Sequence, residues 1–216
     1  MAKLDDAEGM PDASSDTGNQ ADSFQQLVGA DEVLSSVHSY WRSKWRDTAL
    51  PSRDDIAPAE ISTLLPNVGL IDVLPRERNF RYRLVGTYLV DMFGRDFTGT
   101  KLGEPFKEGS YGKFLHRFYQ DAVDSRAAVY CESSFRYRGT GDLYIRRLVL
   151  PIVRSPGQQS VSMLFFSNTF YRPIGQGQFI YANAAEDGPF MSEDIENITL
   201  IRHLREPATD ERHSSC

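Results

Sequence analysis

The spacing of apolar residues predicts helices near the start and in the middle of the chain. Asp31 is a candidate N-cap, and the apolar positions after it recur at intervals of three and four until Pro51. A short helix is predicted at 88–93, with Gly94 as its stop, and a longer one at 111–123. The first stripe comprises Val33, Leu34, Val37, Tyr40, Trp41 and Trp45, and the later one comprises Tyr111, Phe114, Leu115, Phe118, Tyr119, Ala122 and Val123.

Other apolar segments have the pattern of β-strands. Residues 67–74 are apolar on both faces, which is typical of a central strand. Residues 80–86 alternate at period two and form a hairpin with that strand. Three further strands, joined by turns that contain glycine, are predicted at 127–138, 143–153 and 159–168.

This order of elements predicts an α+β fold. Hairpin connections make the sheet antiparallel, and the helices are expected to gather on one face of it. Isoleucines at 195, 198 and 201 have helical spacing and predict a last helix at 193–204, with Ser192 as its cap. We therefore predict a five-stranded antiparallel sheet with helices on one face, plus flanking N- and C-terminal helices.

Charge and composition divide the chain into a folded centre and two polar ends. Residues 1–26 contain six acidic residues and one lysine, which accounts for most of the formal net charge of -6. Such a segment has too little apolar surface to offset the entropy lost on ordering. The predicted organisation is a disordered acidic tail at 1–28, a central domain at 29–170, a C-terminal extension with a helix at 171–205 and a disordered tail at 206–216.

Several classes of function do not fit this composition. No apolar run approaches the ~20 residues that a membrane-spanning helix needs. We expect no nucleic-acid partner, because the folded centre is nearly neutral and the acidic tail would repel phosphate. The histidines and cysteines are scattered and predict no metal site, and no nucleophile elbow or phosphate-binding loop is present. With only two cysteines, Cys131 and Cys216, a reducing cytoplasm is the expected location.

Four sequence segments resemble segments of PAS domains. They are Leu65-Pro66-Asn67 before the first strand, Phe-Arg-Tyr-Arg-Leu-Val-Gly-Thr at 80–87, Met-Phe-Gly-Arg-Asp-Phe-Thr-Gly at 92–99 and Arg-Leu-Val-Leu-Pro at 147–151. Together with the order of elements over 64–168, they make the chain resemble the PAS superfamily. The resemblance is closer to a bacterial family of mostly single-domain PAS proteins. It implies a sensory or interaction role in signal transduction, without selecting between the two.

Two cofactors known from PAS domains are not expected here. A haem-binding PAS domain would carry its ligating histidine on the long helix, but His116 lies off the apolar stripe of that helix. A photoactive flavin domain needs a cysteine just before that helix, whereas Cys131 falls in a strand. The cofactor, if the chain binds one, is left undetermined by the sequence.

A pocket for a small apolar or amphipathic ligand is the main candidate site. Its tyrosines would supply polar contacts in an otherwise apolar cavity. The predicted lining comprises Tyr82, Leu84, Tyr88, Met92, Phe93, Phe114, Phe118, Tyr119, Phe135, Leu148 and Phe165. The stripe with Val37, Trp41 and Trp45 is a candidate interface, which either covers the sheet of its own domain or pairs with a second copy.

We therefore predict a cytoplasmic PAS protein without catalytic activity, which acts through a small ligand, through homodimerisation or through a signalling partner. One alternative is a cone-shaped α+β enzyme that resembles small isomerases and dehydratases. That class needs an Asp or His in its cavity, whereas Asp91 and Glu132 lie on the polar phase of their segments. A ligand-free structural adaptor with a filled core is the other alternative.

Overall fold

The protein is built around an antiparallel sheet with helices packed against it. The computed structural model describes residues 17–105, 110–137, 141–175, 178–182, 184 and 195–207. In these ranges the helices are α1 (Thr17–Gly29), α2 (Glu32–Ser43), α3 (Thr87–Phe93) and α4 (Ser110–Ser125). The strands are β1 (Val68–Leu74), β2 (Asn79–Val85), β3 (Val129–Tyr137), β4 (Gly141–Ile152), β5 (Met163–Gly175), β6 (Gln178–Tyr181) and β7 (Ile195–Arg205).

The strands pair in the order β2-β1-β5-β4-β3-β7, and β6 extends the sheet beside the end of β5. All these pairs are antiparallel, which confirms the predicted α+β class. The described sheet has seven strands rather than the predicted five, because β6 and β7 come from the segment predicted as a C-terminal extension. None of the described helices is long and apolar enough to cross a membrane.

The helix predicted at 193–204 is wrong, because this segment forms β7 and pairs with β3. Two register shifts insert extra residues into β7. Ile195 and Ile198 pair with Tyr137 and Phe135, which are two residues apart, so a bulge makes a spacing of three in β7 match a spacing of two in β3. The three-residue spacing thus belongs to a bulged strand. Pairing with β7 also covers the backbone of β3, which would otherwise be an open edge.

Helix α1 contradicts part of the predicted disordered tail at 1–28. Phe24 and Val28 are buried, and the ring of Phe24 packs edge-on against His38 with 5.5 Å between centroids. Few apolar residues suffice to order a helix when a surface formed by the rest of the chain covers them. At the other end Glu206 is also placed, since its backbone N–H donates to the carbonyl of Ala128.

The rest of both predicted tails, at 1–16 and 208–216, lies outside the described residues, as does the predicted cap Ser192.

Helices cover both faces of the sheet, not one face as predicted. Neighbouring residues of a strand point to opposite faces, and Asn168 and Thr169 of β5 show where each face leads. The hydroxyl of Thr169 donates to Asp31 at the start of α2, over 2.6 Å. Asn168 instead faces a cavity beneath α3 and α4. Both phases of the central strands are therefore buried.

Helix α2 covers the sheet of its own domain. Asp31 caps it as predicted, with its carboxylate accepting from the backbone N–H of Leu34. Val37 and Trp41 are fully buried, and the indole N–H of Trp41 donates to the carbonyl of Pro151 over 3.0 Å. Only Trp45 of the predicted interface is partly exposed. Val37 and Trp41 are thus unavailable to a second molecule in this structure, because the two-sided sheet takes up this stripe.

Replacing Phe24 by alanine should lower the free energy of unfolding by about 3–5 kcal/mol, because the ring is fully buried. Gln25→Ala, one residue further along α1 and exposed, should change it by less than about 0.5 kcal/mol. Urea denaturation of the full chain measures both. Equal stability of the two variants would show that α1 contributes nothing to the folded core.

Trp41→Ala should also cost about 3–5 kcal/mol of stability, because it empties a buried site and removes a hydrogen bond. Trp45→Ala should cost less, since Trp45 is only half-buried. Denaturation and a sizing column, run on the same samples, separate the two roles. A Trp41→Ala protein of unchanged stability but altered oligomeric state would restore the interface interpretation.

Candidate functional site

A small cavity lies between the sheet and the helices α3 and α4. Its volume is about 10 Å³, which is room for about one water molecule. The apolar part of the lining comprises Val85, Leu89, Phe93, Phe97, Leu115 and Phe166. The polar part comprises Tyr82, Tyr111, Tyr119, Arg147 and Asn168. The cavity therefore combines apolar walls with a concentrated set of hydrogen-bonding groups.

Local sequence places α3 and α4 over the cavity. Gly86 lies between β2 and α3, and a Cβ at this position would be only 2.3 Å from the carbonyl oxygen of Pro66. Gly94 ends α3 with φ 63°, a left-handed conformation that favours glycine. In α4 the lining residues Tyr111, Leu115 and Tyr119 recur every four residues, so one face of the helix meets the cavity.

Arg147 of β4 is the most unusual group in the lining. Its side chain is almost completely buried, with only 2 % of the residue exposed. The guanidinium donates to the hydroxyl of Ser133 over 2.6 Å and to the hydroxyl of Tyr111 over 3.1 Å. The rings of Tyr111 and Phe114 each lie with their centroids 5.6 Å from its central carbon. Its Nε is buried and has no hydrogen-bond partner among the residues that the structure describes.

The charge of Arg147 lacks a counterion in the part of the chain that the structure describes. No described carboxylate forms an ion pair with it, and its hydrogen-bond partners are neutral hydroxyls. Its neighbour Arg146, on the opposite face of β4, lies 3.9 Å from Asp31 and 3.7 Å from Glu132. A buried charge without a partner is costly, because it has lost its hydration without gaining an opposite charge.

Two buried tyrosines supply further proton donors. The hydroxyls of Tyr82 and Tyr119 lie 3.3 Å apart. Burial raises the pKa of both phenols well above the ordinary value, and for Tyr82 the neighbouring Tyr119 adds to the effect. Both therefore keep their protons at neutral pH. Since only one proton is needed for the bond between them, the other O–H can donate to a group in the cavity.

Three residues of the predicted lining, Tyr82, Phe93 and Tyr119, do line the cavity. Met92 and Phe118 are buried in the surrounding core instead. Phe114 lies over Arg147. Tyr88 points towards β6, where it stacks on Tyr181 and its hydroxyl donates to the carbonyl of Ala182. The side chain of Phe135 lies outside the described residues.

Leu84, Leu148 and Phe165 were predicted in the lining but lie on the opposite face of the sheet. Leu148 follows Arg147 and Phe165 precedes Phe166, so alternation turns both away from the cavity. Leu84 is two residues from Tyr82, yet the two pair with the adjacent residues Leu70 and Ile71, because the register shifts between them. This bulge sends Leu84 to the other face, where it is 43 % exposed.

The sequence analysis missed the polar residues Arg147 and Asn168 and the aromatic residues Phe97, Tyr111 and Phe166. The signal for the polar pair was their phase. Arg147 lies between Ile145 and Val149 in the alternation of β4, and Asn168 lies between Phe166 and Phe170 in that of β5. Once both faces of a strand are known to be buried, a polar residue among its apolar positions indicates a buried polar site.

The polar groups that line the cavity are tyrosines, an arginine and an asparagine. Its described lining contains no carboxylate, histidine, cysteine or lysine. Cys131, beside Arg147, is buried, and this burial raises the pKa of its thiol to about 11 although Arg147 acts in the opposite direction. His116 lies elsewhere, with Nε2 2.8 Å from the carbonyl oxygen of Arg78. No group of three metal-ligating side chains occurs among the described residues.

A larger groove of about 670 Å³ lies on the surface, where α4 approaches the β1–β2 hairpin. Its lining includes Val73, Asn79, His116, Gln120 and Val161. Within the described ranges, none of the buried polar atoms that lack a partner belongs to this groove. The smaller cavity is therefore the better candidate for a specific site.

Folded protein should lose stability as the pH rises above about 10, because the unfolded chain then releases phenolic protons that Tyr82 and Tyr119 retain. Below that pH these two tyrosines do not make the free energy of unfolding depend on pH. Absorbance at 295 nm and circular dichroism, recorded together, measure the effect. Tyr119→Phe should make the slope shallower by up to about 1.4 kcal/mol per pH unit. Ionisation of all ten tyrosines near pH 10 in folded protein would contradict the burial of this pair.

Comparison with known families adds an independent finding to this geometry. A family model described as a PAS domain matches residues 31–164, from the cap of α2 into β5. The match covers more than half of the chain and lies inside the central domain predicted at 29–170. No curated protein and no solved structure matches significantly. The resemblance carried by the sequence motifs is thus confirmed, and the chain belongs to the PAS domain family.

Proposed function

We propose that this PAS protein is a sensor that binds a small molecule in the cavity between α3, α4 and the sheet and passes the signal to a partner. The observation that carries the proposal is the buried guanidinium of Arg147, whose Nε has no partner. Buried polar groups are nearly always satisfied, so an unsatisfied one at a cavity indicates a missing ligand or water.

Absence of catalysis is part of this proposal. The described lining holds none of the side chains that act as a general base near neutral pH, and its tyrosines stay protonated because of their burial. Asp91, which could have served the alternative enzyme class, is exposed, and Glu132 faces Arg146 on the other side of the sheet. A guanidinium and protonated tyrosine hydroxyls suit ligand binding better than proton abstraction.

Helix α4 is positioned to transmit occupancy of the cavity. It presents Tyr111, Leu115 and Tyr119 to the cavity and Asp121 to β7. The carboxylate of Asp121 lies 2.5 Å from the Nε2 of His203 and 2.6 Å from the Nε of Arg205. A cavity that holds about one water cannot accept a larger ligand unless its walls move. Displacement of α4 would therefore alter its ion pairs with β7.

The last strands are the proposed contact surface for a signalling partner. Among the described residues, the exposed large apolar side chains other than Leu84 all belong to β5, β6 and β7. They are Ile174, Phe179, Tyr181, Leu200 and Ile201. The first three lie where β6 pairs with the end of β5, and the last two lie on β7 at the far edge of the sheet. Exposed apolar side chains at these two places are the candidate contacts for a partner. The homodimer and the cytoplasmic location stay predictions.

Native mass spectrometry of the full chain, purified from its own host, tests the sensor proposal. We expect a bound mass that is lost on denaturation, with an absorption spectrum taken alongside to identify a chromophore. Val85→Phe should abolish the bound mass, because Val85 lines the cavity and a larger ring fills it. Leu84→Phe is the matched control, since its side chain is exposed on the opposite face.

A bare chain mass for all three proteins, with no extractable small molecule and no binding of the small-molecule probes used below, would overturn the sensor proposal in favour of the ligand-free adaptor. A bound mass that survives in Val85→Phe would place the ligand outside the cavity. The same spectra report whether the chain is a monomer or a dimer.

A further inference from the structure

We propose that the ligand of the cavity is a small organic monocarboxylate whose carboxylate binds Arg147. This inference rests on the proposed function and specifies its ligand class. The juxtaposition that supports it is a buried guanidinium without a counterion, phenolic donors beside it, and apolar walls around them.

Charge is the first argument for an anion. Arg147 keeps its positive charge under all ordinary conditions, because a guanidinium does not lose its proton in proteins. Arg147 lines the cavity, and among the described residues its guanidinium hydrogen-bonds only to neutral groups while its buried Nε has no hydrogen-bond partner. The thiol of Cys131, which pairs with Arg147 across β3 and β4, is also neutral at ordinary pH. An anion would supply the counterion that the described part of the fold lacks.

The donors around the cavity suit a carboxylate in particular. A carboxylate accepts through two oxygens, and arginine binds it with two parallel N–H groups more strongly than a neutral acceptor. Tyr82 and Tyr119 leave one O–H proton available beyond the bond they share. Asn168, which is 94 % buried at the lining, adds an amide. None of the described side chains that line the cavity is negatively charged.

The apolar walls restrict the rest of the ligand. One guanidinium balances one negative charge, and a second anionic group would meet Leu89, Phe93 and Phe166 with no cation to pair with. This argues against dicarboxylates and phosphate esters. The walls instead favour a short aliphatic or aromatic body, because moving apolar surface out of water is favourable. The small volume of the empty cavity means that this body displaces lining side chains.

Titration calorimetry on the full chain, dialysed to remove any small molecule that copurifies with it, tests the ligand class. The probes are sodium formate, acetate, butyrate and benzoate, at constant ionic strength set with sodium chloride. Each acid is compared with its amide, which has nearly the same shape without the charge. We expect saturable binding of at least one carboxylate, with its amide about tenfold to a hundredfold weaker.

Arg147→Met removes the charge while keeping an apolar side chain of similar length, and it should weaken carboxylate binding about tenfold to a hundredfold. Arg83→Met is the matched control, because it removes the same charge from an exposed residue beside Tyr82. Circular dichroism checks that both variants fold. Replacing an unpaired buried charge with an apolar group is expected to be tolerated. The acid–amide comparison on the unmodified chain stands even where Arg147→Met does not fold.

The outcomes separate this inference from the sensor proposal. Carboxylate binding that depends on charge and on Arg147 supports both. The purified protein could instead hold a neutral molecule that Arg147→Met binds equally well and Val85→Phe does not bind. This result would overturn the carboxylate inference, and the sensor proposal would stand. If chloride competes with the carboxylates for the site equally well, the site binds inorganic anions, and the inference of an organic ligand is overturned. With no probe bound and no molecule in the purified protein, both proposals fail.

Discussion

Burial of the sheet on both faces is the constraint that organises this molecule. With α3 and α4 on one side and α1 and α2 on the other, the side chains of residues 147–152 in β4 and 163–170 in β5 are all buried in one of two interiors. Polar residues in these strands must then find partners inside the protein. On one side Thr169 and Tyr171 donate to Asp31, which also caps α2, so a single carboxylate joins a helix start to the sheet.

Two adjacent arginines show how differently the two interiors are arranged. Arg146 lies over the ring of Tyr171 and faces the carboxylates of Asp31 and Glu132. Arg147, one residue further along β4, meets only neutral groups. The first arrangement completes itself within the fold, as a structural ion pair does. The second lacks its counterion in the described part of the chain, and this contrast within one strand is the reason for proposing Arg147, and not Arg146, as the group that binds a ligand.

The candidate site could be predicted in outline, but not its decisive residue. Aromatic residues from β2, α3 and α4 were expected around a pocket, and Tyr82, Phe93 and Tyr119 do line it. The wrong predictions at Leu84, Leu148 and Phe165 arise from the register of the strands. One bulge, or one step along a strand, moves a side chain from one face of the sheet to the other. Periodicity shows that residues alternate; it does not show which phase faces which layer.

The sequence by itself determined the order and type of most elements: the capped helix after Asp31, the β1–β2 hairpin, the two helices that follow it and the three hairpin-linked strands. These depend on local rules of spacing, capping and turns, which act within a few residues. Tertiary structure decided the rest. The C-terminal segment with helical spacing forms β7 because β3 offers backbone groups for pairing, and α1 is ordered because the rest of the fold covers Phe24. It also placed Arg147 at a cavity, since only packing on both faces of β4 fixes which arginine has no counterion.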